Sequence, residues 1–159
     1  MQQQLAQLGS GAHALATQIL GNADDAADAV HDAFATVLAK PEAYDRSKGP
    51  LKPWFLRVVR NRCIDMQRRT KRLDDRIEEI QDSRPGPEAR AEAEEDSRRI
   101  QAALAAMKAE AREIIILRDY LELSYAEVAD VLGIASGTVM SRLHRARLAL
   151  KKELSGNDD

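Results

Sequence analysis

The residues with the clearest chemical potential are cations gathered in two blocks. Residues 54–72 carry Arg57, Arg60, Arg62, Arg68, Arg69, Lys71 and Arg72 against Asp65 alone, and residues 138–152 carry Arg142, Arg145, Arg147, Lys151 and Lys152 with no acid at all. A guanidinium presents a fixed fork of N–H donors that matches phosphate oxygens, so both blocks suit contact with a polyanion. The sum of charges, -2, hides them, because the rest of the chain is acidic. Residues 22–45 hold Asp24, Asp25, Asp28, Asp32, Glu42 and Asp45 against Lys40, and residues 73–98 hold ten further carboxylates. Two basic surfaces divided by an acidic stretch are what a protein meeting nucleic acid at two places would carry.

Catalysis and metal chemistry find no such support. The single cysteine, Cys63, excludes an internal disulfide, and His13, His31 and His144 are too scattered to give metal-ligand spacing. No nucleophile–base pair and no phosphate-cradling loop is found, so neither an enzyme nor a cofactor is expected. The chain opens with no basic segment leading into an apolar run, and no stretch approaches the roughly 18 apolar residues of a membrane span. These features predict a soluble, cytoplasmic protein.

The elements that must carry these residues read as helices. Aromatics are 4% of the chain and charged residues 31%, which suits surface-rich helices rather than a large β core. Leu5–Leu20 reads as a helix ended by Gly21-Asn22. A second runs from about Asp24 to Leu38, with Ala26, Ala29, Val30, Ala33, Phe34 and Val37 at three- and four-residue steps. Asp25, Asp28 and Asp32 share its outer face, where like charges repel, so stability of an isolated helix does not explain them. Pro41 stops it, and a loop follows to Pro53. The next helix is predicted from Pro53 or Trp54 to about Lys71, on a stripe of Phe55, Val58, Val59, Cys63 and Met66. Residues 73–98, acidic and broken by Pro85-Gly86-Pro87, read as a linker by composition, in the plainest view a solvated tether.

Helical periodicity resumes from Arg98. Ile100, Ala103, Leu104 and Met107 form one apolar face, and Ile114, Ile115, Leu117 and Leu121 another. Ser124-Tyr125-Ala126-Glu127 has the form of a capping box. Gly133 ends the short helix it opens, and Ser136 is expected to cap a last helix on an inner stripe of Val139, Leu143, Ala146 and Leu150. A short helix, a turn and a longer basic helix make a helix-turn-helix, with Thr138, Ser141, Arg142, His144 and Arg145 facing outward toward base edges and phosphates. The bland alternative is a helical hairpin with a solvated basic face. The fold class is all-α: two small helical domains joined by an acidic flexible linker, the second ending in the helix-turn-helix.

The run from Leu123 to Arg147, LSYAEVADVLGIASGTVMSRLHRAR, resembles region four of extracytoplasmic-function sigma factors. Asp25–Phe34, DAADAVHDAF, and Trp54–Asp65, WFLRVVRNRCID, resemble region two of the same family. The order is right, and the resemblance covers about residues 5–153. It implies a region-two domain over 1–72, a linker over 73–98 and a region-four domain over 99–159. By resemblance, Asp25, Asp28 and Asp32 would dock on the clamp helices of core RNA polymerase. Trp54, Arg57, Arg60, Asn61, Arg62, Arg68 and Arg69 would meet the opened minus-ten element, with Asn61 at a captured base and Trp54 more simply a core anchor. Thr138, Ser141, Arg142, His144, Arg145 and Arg147 would meet the minus-thirty-five element. The helices of about 100–121 would rest on the polymerase flap, promoter DNA would be the second partner and an anti-sigma factor the third. The family's usual Gln and a common Glu are replaced here by His31 and Ala27. A sigma mimic would have no use for two basic blocks. A stand-alone repressor would need a dimerisation helix, which nothing in the sequence resembles.

Overall fold

The computed structural model describes residues 2–74 and 93–156. Among the described residues every regular element is helical. The chain divides into two compact units, and each is taken by itself.

The first unit is a three-helix assembly of α1 (Gln2–Leu20), α2 (Ala23–Ala39) and α3 (Leu51–Asp74). α1 ends where Gly21 turns to φ 82 and its N–H donates to Thr17 O at 2.8 Å, the single-bond left-handed stop. Asn22 then caps α2, its Oδ1 accepting from Asp25 N at 2.7 Å. Small residues, Ala12 and Ala16 on α1 and Ala26, Ala29 and Ala33 on α2, are buried and let the two backbones approach closely. Larger side chains fill what remains: Leu5, Leu15, Val37, Phe55, Leu56 and Val59 are all buried, and the Phe34 ring packs on Phe55 with centroids 4.9 Å apart. α3 starts two residues before Pro53, so Leu51 and Leu56 join the core, while Val58 and Met66 are only half-buried. Pro53 falls in the first turn, where its missing N–H needs no partner.

Residues 93–156 carry α4 (Ala93–Ala106), α5 (Ala109–Ile115), a π segment (Ile116–Tyr120), α6 (Tyr125–Leu132) and α7 (Ser136–Gly156). α4 begins five residues before the expected Arg98. Glu94, Glu95 and Asp96 occupy its first turn, where the helix dipole favours carboxylates that composition alone assigns to a tether. The rest of the acidic stretch, residues 75–92, lies outside the described residues. Ala103, Leu104 and Met107 are buried as expected, but Ile100 is 45% exposed. α5 and α4 both pack on α7. Ile114 to Leu117 are all buried, with Leu121 and Leu123 beyond them.

The π segment has no signal in the helical periodicity of the sequence. Leu121 N–H reaches back five residues to Ile116 O at 2.8 Å, and Leu123 N–H donates to Leu117 O at 3.0 Å. The exit from this widened turn forces Glu122 to φ 61, a left-handed conformation that costs a residue with a Cβ but not glycine. Glu122→Gly is therefore expected to stabilise the chain by about 0.5–1 kcal/mol. The midpoint of urea unfolding checks this; a fall would mean the Glu122 side chain compensates for its backbone.

The capping box forms as expected: Ser124 N–H donates to Glu127 Oε1 at 2.8 Å and Glu127 N–H to Ser124 Oγ at 3.1 Å. Gly133, at φ 68, ends α6, and Ile134 N–H closes on Ala129 O at 3.0 Å, the Schellman pattern. The cap of α7 is not Ser136. Ala135 holds that place, its carbonyl accepting from Thr138 and Val139 N–H at 3.0 and 3.2 Å, and Ser136 lies inside the first turn.

Candidate nucleic-acid interface

At about 100° per residue, the cations of α3 separate into two faces. Arg57, Asn61 and Arg68 fall on one outward stripe, opposite buried Phe55, Val59 and Cys63; Asn61 and Arg68 are exposed and Arg57 half-buried. Arg60 is half-buried on the edge of that stripe. Arg62 and Arg69, seven residues apart, fall on the side that meets α2. Arg62 places Nε and Nη2 on Asp32 Oδ2 at 3.0 and 2.9 Å. Arg69 lines one groove with Asp25, Leu20, Gln67 and Lys71. Asp25 and Asp32 are also seven residues apart, and the helices run antiparallel, so an acidic edge meets a basic one. Gln67 seals the end of this packing by donating from Nε2 to Ile19 O at 2.7 Å.

This seam engages one of the three carboxylates on the outer face of α2, Asp32. Asp25 Oδ2 also accepts from Asn22 Nδ2 at 2.7 Å, completing the cap. Asp28 stands opposite the apolar stripe and is exposed. Asp24, in the first turn, is exposed beside it and was not among the expected docking residues. The role of Asp32 could not be read from helical spacing, since Arg62 is 30 residues away.

The connection from α2 to α3 is built rather than loose. Two 3-10 turns, Pro41–Ala43 and Arg46–Lys48, occupy it. Asp45 caps the second, accepting at Oδ1 from Ser47 N at 3.0 Å and Ser47 Oγ at 2.6 Å. These bonds hold the Asp45 carboxyl below its ordinary pKa, so the cap is intact at neutral pH and is lost only in acid, as pH falls through that lowered value. Trp54 is half-buried with its ring against Tyr44, centroids 5.1 Å apart, which fits its anchoring use. Lys40, Arg46 and Lys48 are exposed along the connection; they extend the basic surface beyond the residues expected from sequence, and only their charge could have signalled it.

α7 carries the second surface. Val139, Leu143 and Ala146 are buried, which turns Ser141 and His144 straight outward, both exposed. Arg145 is exposed on one flank, where with half-buried Arg142 it lines a groove bounded by Lys108, Glu110 and Glu153. Thr138 is half-buried, and its carbonyl accepts from Ser141 Oγ at 3.1 Å. Met140 is 58% exposed on the other flank, an apolar group suited to a thymine methyl that a search for polar residues passes over. Arg147, though exposed, is engaged by Asp119 through Nε at 3.0 Å and Nη2 at 2.5 Å. That pairing, with Tyr125 adding less, raises the Arg147 pKa. Arg118 lies over the Tyr125 ring at 5.0 Å and donates to Leu123 O at 2.8 Å, fixing the entry to α6. Among the described residues no group of three or more His, Cys, Asp or Glu could hold a metal, and no helix is long and apolar enough to cross a membrane.

Residues 6–73 match the family described as Sigma-70 region 2, and residues 97–150 match Sigma-70, region 4. The ECF RNA polymerase sigma factor SigE of Mycolicibacterium smegmatis is 34% identical over 149 residues, covering 89% of this chain and 56% of that protein. SigL of Mycobacterium tuberculosis, also an ECF RNA polymerase sigma factor, is 34% identical over 142 residues, covering 87% of this chain and 80% of its own length. The chain thus spans little more than half of the first relative and four-fifths of the second. Among solved structures, the sigma factor RpoE in complex with the anti-sigma factor NepR from Bartonella quintana matches with a TM-score of 0.86 at 27% identity, covering 97% of this chain and 96% of that one.

Proposed function

The chain belongs to the extracytoplasmic-function group of sigma-70 factors, and on that premise we propose that it brings core RNA polymerase to specific promoters and helps to open them. Residues 1–72 act as region two, 99–159 as region four, and 73–98 connect them. The observation that carries this reading is the presence of an outward basic face in each unit, on α3 and on α7, each held by its own apolar core. A single DNA-reading helix would serve a repressor; two, on separate units, serve two promoter elements.

On this reading Arg57, Asn61 and Arg68 meet the minus-ten strand, with Trp54, Arg60, Arg62 and Arg69 supporting that surface. Asn61 offers an amide to an unpaired base edge, and the arginines supply phosphate contacts that weaken with salt. Ser141, Arg142, His144 and Arg145 read the minus-thirty-five duplex, with Thr138 and Arg147 at its margins. Asp25, Asp28 and Asp32 form the acidic face offered to the polymerase clamp helices, and α4 and α5 meet the flap. The bond-making chemistry belongs to the polymerase, so this chain is not itself an enzyme, and it acts in the cytoplasm. An anti-sigma factor holds it inactive; the matched sigma factor's structure with its own anti-sigma partner supports that expectation.

Reconstitution with core polymerase and a promoter library tests the proposal. Start sites that appear only when the chain is added, and that share two upstream elements, are the expected result. A purified chain that fails to associate with core enzyme would sink it.

A further inference from the structure

We propose that Tyr44 is a positioning residue for promoter opening: its hydroxyl, bonded to the Gly49 carbonyl, holds the connection between α2 and α3 in the shape that meets the separated strand. The inference rests on the reading of α3 and its preceding connection as the minus-ten surface.

Residues 41–48 have little apolar anchoring, and Tyr44 alone among them is half-buried. Its ring packs on Trp54 at the start of α3, while its hydroxyl donates to Gly49 O at 2.8 Å. The bond therefore joins the two ends of the second 3-10 turn, and Arg46 and Lys48 lie between them, both exposed. Gly49 sits at φ 146, which residues with a Cβ rarely adopt, and Pro50 follows with no N–H of its own. With that backbone set, the remaining freedom lies in how Arg46–Lys48 is carried relative to α3. The Tyr44 hydroxyl removes it.

Pre-shaping matters here because the ligand is unpaired DNA. A loop ordered only at the moment of capture subtracts its lost freedom from the gain of binding, whereas an already ordered loop does not. Asp45 orders the turn from inside through Ser47, and Tyr44 fastens that turn to the helix. Phenylalanine at this position would keep the ring contact and lose only the fastening.

Holoenzyme made with Tyr44→Phe is compared with wild type on one promoter, following permanganate reactivity of the minus-ten thymines. Opening is expected to slow about three- to ten-fold, the effect of one lost hydrogen bond, with core affinity unchanged and the melting temperature lowered by no more than that one bond supplies. In the free chain, acrylamide quenching of Trp54, the only tryptophan, is expected to rise as the loop loosens. Opening at the wild-type rate overturns the proposal. So does slowed opening with unchanged quenching, which would make the hydroxyl a direct DNA contact, and so does a parallel loss of core affinity, which would make it merely structural. A wild-type chain that binds core yet opens no promoter defeats the minus-ten reading itself, whatever the quenching result.

Discussion

Asp28→Arg is expected to reduce the affinity of the chain for core RNA polymerase on the order of a hundred-fold or more, while leaving its melting temperature almost unchanged. Placing a cation against a cationic partner surface costs several kcal/mol, and each ~1.4 kcal/mol is a factor of ten. Asp28 is the right position because of what its neighbours do. Asp25 donates its backbone N–H to Asn22 Oδ1 and accepts the Asn22 amide at its carboxylate at the start of α2, and Asp32 holds Arg62 across the seam to α3. Substituting either would disturb the first unit as well as any docking, so lost binding could not be read cleanly. Asp28 is exposed and opposite the buried stripe, so its reversal tests docking alone. Pull-down of core subunits and thermal melting of the same preparation decide the matter. Binding within two-fold of wild type would move the polymerase contact off this helix. Asp28→Asn should fall between the two, because it removes attraction without adding repulsion.

The seam between α2 and α3 marks where sequence reasoning stops. Apolar periodicity located α2 to within a residue at each end, because Ala26, Ala29, Val30, Ala33 and Val37 repeat on one face and nothing competes with that pattern. Gly21, Gly133 and Ser124 were legible for a different reason: a left-handed stop and a capping box are local, written in residues that touch their own neighbours. Asp32 and Arg62 are 30 positions apart, and no local pattern tells a carboxylate that pairs at home from one kept for a partner. The acidic face read from spacing is therefore present, but part of its charge is spent within the unit.

Other differences have equally physical causes. α4 begins early because Glu94, Glu95 and Asp96 suit a helix N-terminus, a preference that composition alone reads as solvation. The π segment follows directly on the consecutive burial of Ile114 through Leu117, and no local pattern marks it. Ser136 was expected as a cap because its hydroxyl type suits one, yet Ala135 fills the place, since the turn from Gly133 is too short to leave Ser136 outside the helix. Met140 has no polar group, so its residue type alone gives no sign of base reading.

Arg145→Ala should show which residues of α7 read bases and which merely hold phosphates. Arg142, Arg145 and Arg147 look equivalent in sequence, but Arg147 is committed to Asp119 at 3.0 and 2.5 Å, and Arg142 is half-buried. Arg145 remains the exposed guanidinium next to outward Ser141 and His144. Losing one bidentate base contact costs about 1–3 kcal/mol, and the loss appears only on templates carrying the preferred base. Holoenzyme with Arg145→Ala is accordingly expected to bind its best promoter about five- to 150-fold more weakly, and to bind a template with a scrambled minus-thirty-five element as wild type does. A phosphate contact gives another signature: a uniform loss on every template and a salt dependence shallower by about one counterion. Titrating both templates at several salt concentrations separates the two. If the loss is uniform, base reading falls to Ser141, His144 and Met140, and the basic block of α7 serves adhesion alone.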